Sequence, residues 1–195
     1  MSRKKQRVRY DLDSGDIRSL TIEEIKVILR AADELIATGG RSMLAKILKG
    51  SKDKKVLEHG LDLCPVYGYY RELTLQDITH RIDWMIMKGY LEIEYTGRLP
   101  VIVFSKIGWE IERETYAEEL LQTFERLLEG KDYSFVQELK DRNRGMIILF
   151  LEKIKQTGNA RYVPILKVWK EIEYKKMKAE IQRVIDYLVK EGTIF

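Results

Sequence analysis

Apolar residues recur at helical spacing through Ile22, Ile25, Ile28, Leu29, Ala32, Leu35 and Ile36, and the pattern stops at Gly39-Gly40. Thr21, with Glu24 three positions later, makes a capping box at its front, so the first predicted helix has a defined start and a defined end. Met43, Leu44, Ile47 and Leu48 form a second stripe between Ser42 and Gly50, and a short third helix is predicted from Lys54 to His59, before Gly60. Leu61 to Arg71 mixes Pro65 and Gly68 with tyrosines, which predicts irregular chain. Thr74 then caps a fourth helix, with Asp77 near its orphan amides and Leu75, Ile78, Ile82, Met85 and Ile86 as the buried stripe.

After Gly89 the period changes from helical to alternating. Leu91, Ile93 and Tyr95 alternate with Glu92 and Glu94, residues Thr96 to Pro100 read as a turn, and Val101 to Phe104 as the returning strand. Helices followed directly by such a hairpin give the order of elements of a winged helix, with the hairpin as its wing. Ser105 begins a long helix whose Trp109, Tyr116, Leu120, Leu121, Phe124 and Leu128 are expected to cover the preceding core, and Gly130 closes it. Beyond Gly130 there are helical patterns only, at Ser134 to Leu139, Asn143 to Gln156, Pro164 to Glu173 and Lys176 to Lys190.

The expected fold is mostly α with a small β-hairpin. It comprises a basic flexible arm at 1–20, a winged-helix domain at 21–130 and a small all-helical domain at 131–195. The last two helices pair in a loosely HEAT-like way, and one such unit cannot bury both its faces. It is therefore expected to pack on the Asn143 to Gln156 helix or on another protein.

Charge sharpens this picture. The 195 residues carry 35 Lys+Arg against 31 Asp+Glu, a net +4, which alone is weak evidence for a polyanionic partner. Its distribution is more informative: Arg3, Lys4, Lys5, Arg7 and Arg9 open the chain, and Arg41, Lys46, Lys49, Lys52, Lys54 and Lys55 cluster where the winged helix begins. The glutamates between Glu110 and Glu129 instead make the long helix acidic. One cysteine, Cys64, excludes an intrachain disulfide and a Cys-rich zinc module and suits the cytoplasm. The longest apolar run, Met146 to Leu151, is far short of the roughly 20 residues that span a bilayer, so no membrane partner is expected.

Three stretches then match one family: Leu44 to Lys52 (LAKILKGSK), Tyr67 to Leu73 (YGYYREL) and Ile82 to Leu91 (IDWMIMKGYL). Together they resemble the RQC domain, the winged helix that follows the zinc module of RecQ-family helicases, over roughly Ile22 to Leu120. The chain looks most like the small free-standing bacterial members, the RQC-minor type. It has no P-loop of the Gly-x-x-x-x-Gly-Lys-Ser/Thr kind and too few cysteines for the zinc site, so the resemblance brings no ATPase, cofactor or metal function.

What the resemblance implies is DNA binding. The basic residue, Gly and Ser that hold phosphates in RQC domains match Lys49, Gly50 and Ser51, with Lys46, Lys52 and Lys54 supplying charge around them. Amides freed at a Gly turn and at the start of the next helix would point at the anion, which is the favoured reading; the other is a capped, solvated turn, since Ser51 is also a good N-cap. Arg71 and Thr74, before and at the cap of the fourth helix, are candidates for a backbone phosphate. The outward side of that helix, Gln76, Thr79, His80 and Asp83, carries little positive charge for a groove. At the wing tip, where larger relatives place an aromatic residue on the terminal base pair, stands Leu99, flanked by Arg98 and Pro100. It reads either as an apolar wedge without a stacking face or as a side chain folded back on the protein.

Other features stay open at this level. Tyr67, Tyr69 and Tyr70 suit base stacking or the anchoring of their own loop; Trp84 and Trp109 read as packing residues. Arg3 to Arg9 suit a DNA-embracing arm or a solubilising tail. Lys167, Lys170, Lys175, Lys176 and Lys178, interleaved with Trp169 and Tyr174, suit DNA extension or partner docking. The leading expectation is a non-enzymatic cytoplasmic DNA-binding protein for duplex ends, forks or junctions, with association with the nucleoid left open. Its setting is DNA repair, recombination or replication, with a helicase or another repair protein as partner of the C-terminal helices. The alternative is a winged-helix transcription regulator on operator DNA. An enzyme has little support: His59 and His80 lack metal-ligand spacing, Cys64 lacks an activating neighbour, and Glu173-Tyr174-Lys175 lacks the acidic partner of a nuclease motif.

Overall fold

The computed structural model describes residues 11–130, 133–140 and 142–191, so the basic run Arg3 to Arg9 lies outside the described residues. The chain divides into two compact units, Met1–Glu112 and Arg113–Phe195. Helices and a two-stranded hairpin account for the regular structure, as the patterning requires.

In the first unit α1 (Ile22–Asp33) starts from the expected box: Thr21 Oγ1 accepts from the Glu24 amide while the Glu24 carboxylate accepts from the Thr21 amide. Ile28, Leu29, Ala31 and Ala32 are fully buried on its inner face. α2 (Arg41–Lys49) inserts Leu44, Ile47 and Leu48 beside them, and α3 (Lys54–Glu58), N-capped by Asp53, contributes Val56. α4 (Leu75–Met87) begins at Thr74 with a second capping box, closed by Asp77, and buries Ile78, Ile82 and Met85. These residues form one core, which at roughly 25 cal/mol per Å² of buried apolar surface is the main stabilising term of the unit.

The wing is the antiparallel pair β1 (Leu91–Thr96) and β2 (Leu99–Phe104). Its loop is two residues, Gly97-Arg98, with Gly97 at φ 66°, so β2 starts two residues earlier than the sequence pattern predicts and includes Pro100, opposite Tyr95. Pairing places Leu91 with Phe104 and Ile93 with Ile102 on the face that meets the core. The root of the wing is also tied to the α1–α2 connection: the Ala37 amide donates to the Ile102 carbonyl (3.0 Å) and the Ile102 amide to the Gly39 carbonyl (2.9 Å).

Residues 11–20 correct the expectation of a flexible arm. Leu20 is buried, the Trp84 indole N–H donates to the Arg18 carbonyl (3.4 Å), and the Asp13 amide donates to Asp83 (3.0 Å). Asp83, expected on the outward side of α4, is 1% exposed and receives Arg41 at 2.6 Å. An isolated helical wheel cannot register a chain segment that packs from outside.

α5 (Lys106–Gly130) starts after Ser105, whose Oγ accepts from the Gly108 amide. Gly108 is required there, since a Cβ would lie 2.0 Å from the Tyr90 carbonyl. The two units divide within α5, and Tyr116, Leu120 and Phe124, expected on the winged-helix core, are no part of it. In the second unit Phe124 meets Phe150 edge-on (4.8 Å between centroids), with Trp169 at 6.0 Å. That unit consists of the later part of α5, α6 (Val136–Leu139), α7 (Arg144–Gln156), α8 (Val163–Ile172) and α9 (Lys175–Glu191). Trp169, expected among surface lysines, is fully buried and donates its N–H to Glu173 (2.9 Å), so neither residue belongs to a basic surface or a nuclease-like string. No helix among the described residues is long and apolar enough to cross a membrane.

Candidate nucleic-acid interface

The turn after α2 is closed by backbone bonds. Gly50, at φ 73° and ψ 40°, donates its amide to the Ile47 carbonyl (2.9 Å), and the Ser51 amide donates to the Lys46 carbonyl (2.9 Å). This is the Schellman arrangement, which stops a helix by satisfying its last carbonyls. The Gly50 and Ser51 amides are therefore engaged and not free for an anion. The groups that remain lie one step further along: the Ser51 Oγ accepts from the Asp53 amide (3.2 Å) and keeps its own proton, and the Lys52 amide has no partner among the described residues.

The lysines sort in a way their spacing does not show. Lys49 Nζ donates to the carbonyls of Arg71 (2.5 Å) and Leu73 (2.7 Å) and so fastens the loop before α4 to the end of α2. Lys46 Nζ lies 2.9 Å from Asp53 Oδ2. Hydrogen bonds from Lys46 and from the Lys55 amide, with the charges of both lysines, hold the Asp53 carboxyl below its ordinary range. Lys52, Lys54 and Lys55 point outward, Lys54 with a long 3.4 Å pairing to Glu58 that leaves its side chain 85% exposed. Lys55, absent from the sequence-derived site, thus joins Lys52 and Lys54 in a cationic rim; the signal for it was Asp53, whose N-cap orients the first turn of α3.

The tyrosine loop is locked to the same turn. Gly68 and Tyr70 donate their amides to the Ile47 (2.9 Å) and Leu48 (2.8 Å) carbonyls, and the Tyr67 hydroxyl donates to the Ser51 carbonyl (3.0 Å). Tyr70 is buried, donates its hydroxyl to Glu24 (3.1 Å) and carries Arg81 over its ring; burial, with Glu24 beside it, holds its phenol well above the usual range. Tyr67 and Tyr70 are thus anchors, and Tyr69 alone of the three is exposed. Arg71 uses Nε on the Gly68 carbonyl (3.2 Å) while the residue remains exposed. Thr74 is committed differently: its amide and hydroxyl both donate to Asp77, so a carboxylate already occupies the N-terminus of α4. The Asp77 carboxyl is held low chiefly by those two bonds.

At the wing tip Leu99 is 70% exposed. The register puts it opposite Thr96 on the face that carries Glu92 and Glu94, not on the face of Leu91, Ile93 and Ile102. That exposure rules out a side chain folded back on the core, although Val101, on the same face two residues further on, is buried. Arg98, in the loop itself, is also exposed. The structure brings Lys46, Lys49, Gly50, Ser51, Lys52, Lys54 and Arg71 into one turn-and-loop assembly. Thr74 stands at the start of the neighbouring helix, and Arg98 and Leu99 form a separate outpost on the hairpin.

Comparison with known proteins agrees with this architecture. The family model described as the RQC domain matches residues 21–125. The chain is 28% identical over 85 residues to the ATP-dependent DNA helicase RecQ of Bacillus subtilis (strain 168), a stretch covering 44% of this chain and 14% of that helicase. The chain thus spans only a small fraction of that relative's length, and no solved structure matches it. RQC domains are DNA-binding and not themselves catalytic. With more than half of its residues matched by the family model, this chain belongs to the RQC domain family.

Proposed function

We propose that this protein is a non-enzymatic DNA-binding protein that recognises duplex ends, forks or junctions, gripping backbone phosphates at the turn after α2 and meeting the terminal base pair with its wing. The observation that carries this reading is the charge layout of the hairpin. Arg98 and the apolar Leu99 occupy the tip, while Glu92 and Glu94 line the strand below on the face of Leu99. Those carboxylates repel a duplex lying along the hairpin, so contact is favourable only at the tip, and an exposed base pair exists only at an end or branch. Ser51, Lys52, Lys54 and Arg71 then serve as phosphate ligands, with Lys46, Lys49, Gly50 and Thr74 holding the turn, the loop and α4 in place around them.

Operator reading by α4, the other function open to a winged helix, requires an accessible α4 surface. Residues 11–18 cover its His80 and Asp83 side, which disfavours that reading. A role in repair, recombination or replication fits a protein directed to ends and forks. The exposed Ile148, Val168, Tyr187 and Val189 of the second unit supply apolar area for a helicase or another repair protein. The test is a binding comparison among blunt duplex, closed circular duplex, fork, four-way junction, single strand and RNA at one salt concentration. Tighter binding to blunt or branched DNA than to closed circular duplex is expected; equal affinity for all of them would refute the proposal.

A further inference from the structure

The segment preceding α1 is a strap laid across α4. Its anchors are the Asp13 amide on Asp83, the Trp84 indole on the Arg18 carbonyl, and Arg41, which reaches Asp83 and the Asp11 carbonyl (3.5 Å). Gly15, at φ 53°, sits so close to the His80 ring that a Cβ would lie 2.7 Å from Nδ1, and His80 Nε2 is 3.5 Å from Asp13 Oδ2. The anchors to α4 are mainly backbone groups, and of the three strap carboxylates only Asp13 is engaged among the described residues, by the Gly15 amide (2.8 Å) and near His80. Asp11, Asp13 and Asp16 all face solvent, Asp13 with 73% of its side chain exposed, and Arg18 is the one arginine or lysine among residues 11–20.

We infer that this acidic strap is a specificity element: Asp11, Asp13 and Asp16 exclude duplex DNA from the α4 face and so confine productive contacts to the turn after α2 and the wing tip. The inference rests on the proposed recognition of ends and branches. A phosphate backbone approaching α4 along the strap meets three strap carboxylates and that of Asp77 against the single exposed Arg18, whereas Arg41 is consumed by buried Asp83 and Arg81 by Glu24. Like charges within a Debye length of about 8 Å repel appreciably at physiological salt. Suppressing an unproductive mode on uninterrupted duplex, the most abundant competitor, raises selectivity without adding any contact to the preferred DNA.

The test replaces the three carboxylates together, Asp11→Asn, Asp13→Asn and Asp16→Asn. Asparagine keeps the oxygen that accepts the Gly15 amide at position 13 (2.8 Å), so the strap's own turn is retained, and thermal unfolding checks this. A control makes the same charge change at exposed Glu129, Glu138 and Glu171 of the second unit. The strap variant is expected to bind closed circular duplex about three- to fivefold more tightly, because three screened repulsions are removed, with blunt-end and fork affinity changed less. The control is expected to leave the ratio of ended to closed DNA where it was. If strap and control variants shift that ratio equally, or if ended DNA gains as much as closed duplex, the strap is not a specificity element, although end recognition by the wild type would stand. A wild type that binds no DNA, or binds closed duplex as well as ends, overturns both.

Discussion

Gly50 and Gly68 meet backbone to backbone: a Cβ added to Gly50 would lie 3.0 Å from the Gly68 Cα. Both sit at φ 73°, one ending α2 and the other turning the tyrosine loop back onto it. Gly50 is therefore required twice, for its left-handed conformation and for the approach of the loop that carries Arg71.

Gly50→Ala is expected to destabilise more than Gly89→Ala. Gly89 has a similar φ of 74° but nothing within 4 Å of its absent Cβ, so its replacement costs only the conformational penalty, roughly 1–2 kcal/mol. Position 50 adds displacement of backbone that no rotamer change can relieve. Thermal unfolding of the two variants checks this, and equal shifts would mean the contact between the two glycines is not tight.

Lys49 and Lys52 should part company. Lys49→Ala removes the donor to two carbonyls, so a loss of stability of about 1 kcal/mol is expected together with weaker DNA binding. Lys52→Ala should leave the melting temperature alone and reduce the salt slope of binding by about 0.9, one phosphate contact. Urea unfolding beside a salt titration separates the two. A Lys49 variant as stable as the wild type would return that ammonium to the list of direct phosphate ligands.

Acid should weaken the first unit through its caps. At Glu24 burial pulls the pKa upward, but bonds from the Thr21 amide and hydroxyl and from Tyr70, with the Arg81 charge, outweigh it and leave the carboxyl below its ordinary 4.5. Asp53 and Asp77 are likewise held below 3.8. Folded pKa values below the unfolded ones mean stability that is fully present above the unfolded values and lost as pH falls through the folded ones. Unfolding free energy should be flat with respect to these groups above about pH 5 and decline below pH 4.5. Glu24→Gln should flatten part of that decline, and an unchanged acid limb would remove Glu24 from the account.

The same caps show how much could be read in advance. Thr21 with Glu24 and Thr74 with Asp77 act within three residues, so local chemistry disclosed them, and the wing's alternation gave its strands to within two residues. Lys49 looked like a phosphate ligand because its bonds to Arg71 and Leu73 cross more than twenty positions of chain. Asp83 looked exposed because the strap that covers it lies seventy residues away. Leu99 was ambiguous until a two-residue loop fixed its register and hence its face. The division within α5 had no local signal, since that helix runs on without a breaker from Gly108 to Gly130.

Binding should be steeply salt-dependent with little sequence preference. Roughly five neutralised phosphates give a log–log slope near −4 to −5 on B-DNA, at about −0.9 per contact. A slope shallower than about −2, or marked discrimination between random duplexes of the same form, would contradict a backbone reader.

The most direct test of the account concerns the wing. Lys52 and Ser51 can grip phosphate anywhere along a duplex, but Leu99 meets a base pair only where one is exposed. Affinities of the wild type and of Leu99→Ala should be measured on one duplex sequence in linear blunt-ended and closed circular form, at a single salt concentration. Leu99→Ala is expected to lower affinity for the ends, by about 1 kcal/mol for an apolar contact of this size, and to leave closed-circle affinity nearly unchanged. Equal weakening on both forms would make the wing merely another backbone contact and contradict recognition of ends.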